Sequence, residues 1–142
     1  MKTDNRLSGE TAEHILACLL RNNYGIVAQR FDIEGFDLIA FDPENKFFEG
    51  KSPFFIQVKT RGGGNPTGMD SKSAIGTIKD AIEKVKLDES SFYIAVGFFE
   101  KDIRGIEFYL IPWVRREELY SKSGIELRFN RRRLESLKFK KI

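Results

Sequence analysis

Phe36-Asp37-Leu38-Ile39-Ala40-Phe41 and Phe54-Phe55-Ile56-Gln57-Val58-Lys59 are two short apolar runs, separated by a stretch that holds Pro43, Gly50 and Pro53. Both are rich in strand-forming residues and bounded by turn formers, which predicts two adjacent strands. Each also carries polar residues that a buried strand should lack: Asp37 in the first, Gln57 and Lys59 in the second. Charged side chains are rarely buried unless they are paired or bound to a metal. Three such positions on neighbouring strands predict a site at the edge of a core.

Upstream, Ser8 or Thr11 can cap a helix reaching about Asn22, with Ala12, Ile15, Leu16, Leu19 and Leu20 at helical spacing on its inner face. Glu13 borders that face, because its neighbours one turn on are Leu16 and Ala17. As first-turn acids, Glu10 and Glu13 also suit the helix dipole. His14 reads as an exposed helix residue and Cys18 as core packing. Ile26 to Phe31 predicts a first strand before a turn at Glu34-Gly35, with Asp32 and Glu34 as turn acids.

Downstream, Arg61-Gly62-Gly63-Gly64-Asn65-Pro66-Thr67-Gly68 reads as a loop. It lacks the Gly-Lys-Ser/Thr ending of a nucleotide-binding loop. A second helix is expected from Ser71 or Ser73, with Ile75, Ile78, Ile82 and Val85 inward and Lys72, Lys79 and Lys86 as a basic stripe. Phe92 to Phe99 is apolar almost throughout, as in a strand buried on both faces. Ile106 to Ile111 should pair with it across the turn Glu100–Gly105, and Pro112 should end the ladder. Trp113 to Tyr120 predicts a short helix and Ile125 to Phe129 an edge strand. Asn130 can cap a last helix carrying Arg131, Arg132 and Arg133. The order of elements fits one α/β layered domain over residues 1–142, with a core at about 8–112 and a basic extension at 113–142.

The composition narrows the function. Of 142 residues 41% are hydrophobic and thirteen are Phe, enough for a substantial core. No apolar run approaches the ~20 residues that span a bilayer, and Met1 to Arg6 leads into no signal-peptide region. One cysteine excludes an internal disulfide and suits a cytoplasmic setting. The net charge of +3 is unevenly spread: Trp113 to Ile142 holds ten Lys/Arg and four Asp/Glu, leaving −3 for the rest. A basic tail on a slightly acidic body points to an anionic partner.

The Glu13, Asp37 and Gln57-Val58-Lys59 pattern resembles the PD-(D/E)xK nuclease superfamily. There a first helix supplies an acid, one strand an Asp, and the next strand an acid or Gln, any residue, then Lys. Gly9-Glu10-Thr11-Ala12-Glu13 is similar to the Gly-x-x-x-Glu start of archaeal Holliday-junction resolvases, and Asp37-Leu38-Ile39-Ala40 to their Asp-Ile-Ile-Ala strand. Gln57 departs from the resolvases, but the same change occurs in Mrr-like restriction nucleases and some homing endonucleases. The likeness covers about Ser8 to Arg61, matches only in element order to Ile111, and is not visible beyond Pro112. It implies a restriction-endonuclease-like core, a mixed central β-sheet flanked by helices.

The same resemblance implies a Mg²⁺- or Mn²⁺-dependent endonuclease acting on duplex or branched DNA, structure-selective or weakly sequence-specific. Asp37, Gln57, the Val58 carbonyl and Glu13 would be the metal ligands, and one or two carboxylates suffice for Mg²⁺. Lys59 shares a strand face with Gln57 and could orient water or stabilise charge on the phosphate. A register shift of three would exchange Glu10 for Glu13. Arg61, the Gly62–Gly64 loop, Lys72, Lys79, Lys86 and Arg131–Arg133 would contact the nucleic-acid backbone. Duplex cleavage needs two sites, so a homodimer is expected. The alternatives are a non-catalytic nucleic-acid-binding domain on the same fold, with Gln57 marking lost metal chemistry, and a module whose basic tail binds an acidic protein.

Overall fold

A computed structural model describes residues 5–33, 35–62, 67–70, 75–86, 88–122, 124 and 126–142. Helix α1 (Asn5–Tyr24) leads into β1 (Val27–Ile33), β2 (Phe36–Phe41) and β3 (Phe54–Gly62). β4 (Thr67–Asp70), α2 (Gly76–Val85), β5 (Phe92–Phe99) and β6 (Glu107–Pro112) follow. Trp113–Leu119 is a 3₁₀ segment, and β7 (Glu126–Phe129), α3 (Arg131–Ser136) and β8 (Lys140–Lys141) complete the chain. Six strands form one mixed sheet in the order β1-β2-β3-β5-β6-β8. The β3–β5 pair is parallel and the remaining neighbours are antiparallel. No described helix is long and apolar enough to cross a membrane.

The sheet buries both faces. On one, Ala12, Leu16 and Leu20 of α1 pack with Leu38, Ala40, Phe54, Ile56 and Ala95. That helical set repeats every four residues, so the inner stripe follows from the sequence. Cys18 lies off the stripe and is exposed, not core. On the other face, Ile75, Ile78 and Ala81 cover Phe55, Phe92, Ile94 and Val96. β5 is buried along nearly its whole length, as its unbroken apolar run requires.

Several elements depart from expectation. Helix α1 begins at Asn5, ahead of both proposed caps. Arg61 and Gly62 extend β3, paired with Phe98 and Phe99, and Thr67 and Gly68 open β4. The expected loop is therefore strand at both ends, and residues 63–66 lie outside the described residues. A Cβ on Gly62 would stand 3.0 Å from the Phe99 ring, so glycine here serves a close approach between strands. Ser71, Lys72 and Ser73 also lie outside the described residues. Helix α2 has only ten residues, and Lys86 sits beyond it in a left-handed cap (φ 54°), so Lys79 and Lys86 do not form a helical stripe. β7 pairs with β4 in a separate two-stranded sheet and is not an edge of the main one.

The last thirty residues are woven into the core. Trp113, Leu119, Leu127, Phe129, Leu134 and Phe139 are all buried in the cluster on the α2 face. β8 extends the sheet beside β6. Asn130 caps α3 as anticipated, accepting the Arg132 and Arg133 N–H groups.

Candidate functional site

The site is set by an irregularity between β1 and β2. Arg30 pairs with Leu38, but the next pair is Ile33 with Phe36, one residue out of step. The extra residue makes a bulge in β1 directly across from Asp37. Bulges bend a strand and re-aim its side chains, and they recur beside active sites. On the other side of β2, the ladder with β3 runs only to Leu38 opposite Ile56. Just past its end, Asp37 Oδ2 accepts the Val58 N–H at 2.7 Å. A strand residue points its N–H and C=O to the same edge, so the Val58 carbonyl faces β2 as well.

Helix α1 brings a second acid. Glu13 and Asp37 line one cleft with Arg30, Phe31 and Phe36, about 180 Å³ in volume. Burial is the main reason both carboxyls are held above their ordinary range. For Glu13 the Asp37 charge adds to it; for Asp37 the Val58 N–H, Lys59 and Arg30 oppose it without cancelling it. The two carboxyls are close enough to act on one another across the cleft. Two acids held up by burial beside charged partners in one cleft make it a candidate functional site.

Sequence reasoning overlooked Arg30. Its Nε donates to Glu13 Oε2 at 2.9 Å, and its terminal nitrogen lies 3.9 Å from Glu10 Oε1. A charged residue near the end of the predicted first strand was the available signal. The two candidate helix acids differ in their surroundings, since Glu13 lines the cleft with Asp37 while Glu10 lies 3.9 Å from Arg30.

Gln57 and Lys59 occupy the face of β3 opposite Val58, in register with Ile94 and Val96 of β5. Extending the β2–β3 register by one residue sets Asp37 opposite Gln57. The Lys59 charge is felt at Asp37. The oxygen donors Glu13, Asp37, Gln57 and the Val58 carbonyl suit a hard divalent cation, which needs only one or two carboxylates and keeps its waters. Among the described residues no three acids, histidines or cysteines cluster to hold a metal alone, so such a cation would depend on the amide, the carbonyl and water.

The predicted backbone contacts divide. Arg61 is exposed and in register with Phe98, and the Arg131 guanidinium lies 5.5 Å above the Phe98 ring. Both therefore stand at the end of the sheet that carries Lys59. Lys79, Lys86 and Arg132 are exposed. Arg133 instead donates to the Glu118 carbonyl at 2.7 Å, a structural contact.

No family model matches this chain, and no curated protein matches it. Among solved structures it is similar to Hjc, a Holliday junction resolvase from the archaeal hyperthermophile Archaeoglobus fulgidus. The TM-score is 0.53 and the identity 13%, over 90% of this chain and 93% of the other. The likeness is one of fold: the six-stranded mixed sheet with flanking helices is restriction-endonuclease-like, as the motifs predict. Ninety per cent of 142 residues is about 128, so it runs past Pro112 into the last thirty residues. The sequence motifs had suggested no match there.

Proposed function

We propose that this protein is a Mg²⁺- or Mn²⁺-dependent endonuclease that hydrolyses DNA phosphodiester bonds with structural or weak sequence selectivity. The observation that carries the reading is the convergence of Glu13 and Asp37 on one cleft, with Asp37 anchored to the Gln57-Val58-Lys59 strand. In this reading Glu13, Asp37, Gln57 and the Val58 carbonyl hold the cation. Bound there, the cation would act as a Lewis acid on the phosphate and lower the pKa of water. Lys59 supplies a positive charge for the attacked phosphate. Arg61 and Arg131 fix the backbone at the same end of the sheet. Cutting both strands requires two such sites, so we expect a homodimer, working in the cytoplasm on duplex or branched DNA.

The test is cleavage of plasmid and branched DNA with Mg²⁺ or Mn²⁺, comparing the wild type with Asp37→Ala and Lys59→Ala. Metal-dependent nicking that both substitutions abolish supports the reading. Nicking that both variants retain would refute it.

One observation favours a second reading, a nucleic-acid-binding domain without catalysis. Glu13 is already ion-paired with Arg30 and Gln57 contributes no charge, which leaves Asp37 to supply most of the attraction for a cation. A wild type that binds DNA, takes up no Mn²⁺ and cuts none of these substrates would establish that alternative.

A further inference from the structure

The Arg30 side chain is unusually placed for a mere surface ion pair. It stands on the strand that bulges opposite Asp37, lines the cleft with both acids, and reaches Glu13 and Glu10 at 2.9 and 3.9 Å. Its partner Glu13 has a side chain only 13% exposed, whereas Arg30 itself is 49% exposed. The acid is thus fixed in the cleft, while the guanidinium is held at the mouth by one of its edges. A guanidinium keeps its charge and offers several donors in a rigid fork that fits a phosphate bidentately. Binding a divalent cation at Glu13 and binding Arg30 there use the same carboxylate.

Resting on the nuclease reading above, we propose that Arg30 is a phosphate-binding residue of this site, parked on Glu13 until a divalent cation takes that carboxylate. The acid then exchanges one cation for another. The freed guanidinium remains at the mouth, where the backbone of a nucleic acid enters. Phosphate binding through Arg30 is therefore coupled to metal occupancy, and the metal-free protein holds its phosphate donor back.

The coupling is measurable without turnover. Arg30→Gln removes the charge and keeps most of the side chain. In the absence of DNA, Mn²⁺ affinity followed by electron paramagnetic resonance should rise on the order of fivefold, since a partly exposed pair is worth up to about 1 kcal/mol. DNA binding is then compared in EDTA and in saturating Ca²⁺. The substitution should cost about tenfold in Ca²⁺ and lower the salt slope by about one, with little change in EDTA.

An equal loss in both buffers would make Arg30 an ordinary backbone contact and overturn the coupling. No loss in either would make Arg30 structural and overturn the coupling as well. A wild type that binds Mn²⁺ while Arg30→Gln binds it no better overturns the exchange but leaves the nuclease reading standing. If neither protein binds Mn²⁺, both readings fall. Binding that appears only in Arg30→Gln supports the exchange and sinks catalysis by the wild type.

Discussion

Asp37 is tied to the neighbouring strand, its Oδ2 accepting the Val58 N–H at 2.7 Å just past the last β2–β3 ladder pair. The acid is thereby oriented before any ligand arrives, which is the preorganisation a functional site needs. An asparagine could retain that bond through its amide oxygen while losing the charge. Asp37→Asn should therefore fold normally, fail to bind Mn²⁺, and lose at least about 100-fold of any metal-dependent cleavage. Manganese titration beside plasmid nicking checks both. Undiminished Mn²⁺ binding would remove Asp37 from the ligand set.

Both acids also make a prediction about pH. Burial, above all, holds Glu13 and Asp37 over the ordinary carboxylate range. Between the ordinary and the raised values the folded protein binds more protons than the unfolded chain, so stability falls as pH rises through that window. At pH 7 the ionised pair is thus a liability. Glu13→Gln and Asp37→Asn should melt at or above the wild-type temperature at pH 7, and the advantage should vanish below pH about 4. A ligated cation reverses the sign by favouring the ionised acids. Mn²⁺ should accordingly raise the wild-type melting temperature more at pH 7 than at pH 5. Thermal melts at the three pH values decide it.

The core strands and the motif acids were legible because their signals are local. The apolar run Phe92 to Phe99, the alternation around Asp37 and the four-residue repeat of Ala12, Leu16 and Leu20 each follow from one element's periodicity. What escaped depends on partners distant in sequence. Arg61 and Gly62 are strand because β5 pairs with them, despite the glycines beside them. Lys140 and Lys141 are strand because Tyr109 and Leu110 offer them an edge. Residues 113–142 read as a basic extension outside the core at about 8–112, yet Trp113, Phe129 and Leu134 are buried between its charges. Arg30 was missed for the same reason: the bulge that brings it to Glu13 is a property of two strands in register, not of either run.

Asp42 carries the architecture of the loop between β2 and β3. It is 2% exposed, and its two carboxylate oxygens accept the Lys46, Phe47 and Phe48 N–H groups at 2.8 to 2.9 Å. That loop presents Phe48 to Phe54 and Tyr93, and Gly50, at φ +114°, passes so close to the Ser90 carbonyl that a Cβ would stand 2.4 Å from it. Burial pushes the Asp42 carboxyl up, but the three N–H bonds outweigh it and hold the group below its usual range. A lowered acid contributes stability above its unfolded pKa and loses it as pH falls through the folded value. Asp42→Ala should cost about 2–4 kcal/mol at pH 7. The gap from wild type should narrow below pH about 4, which urea unfolding at pH 7 and pH 3 measures.

The arginines of the last helix should divide by what they already touch. The Arg131 guanidinium rests over Phe98, and Arg61 is in register with that same phenylalanine, so both are presented at the end of the sheet that carries Lys59. Arg133 is spent on the Glu118 carbonyl and helps seat α3 on the 3₁₀ segment. Arg61→Ala and Arg131→Ala should each weaken DNA binding across all sequences and lower the salt slope by about one, with stability nearly unchanged. Arg133→Ala should leave the slope alone and lower stability by about 1 kcal/mol. Binding isotherms over a salt series, beside thermal melts, separate the classes. A salt slope that moves with Arg133 but not with Arg61 or Arg131 would put the nucleic acid on a different surface.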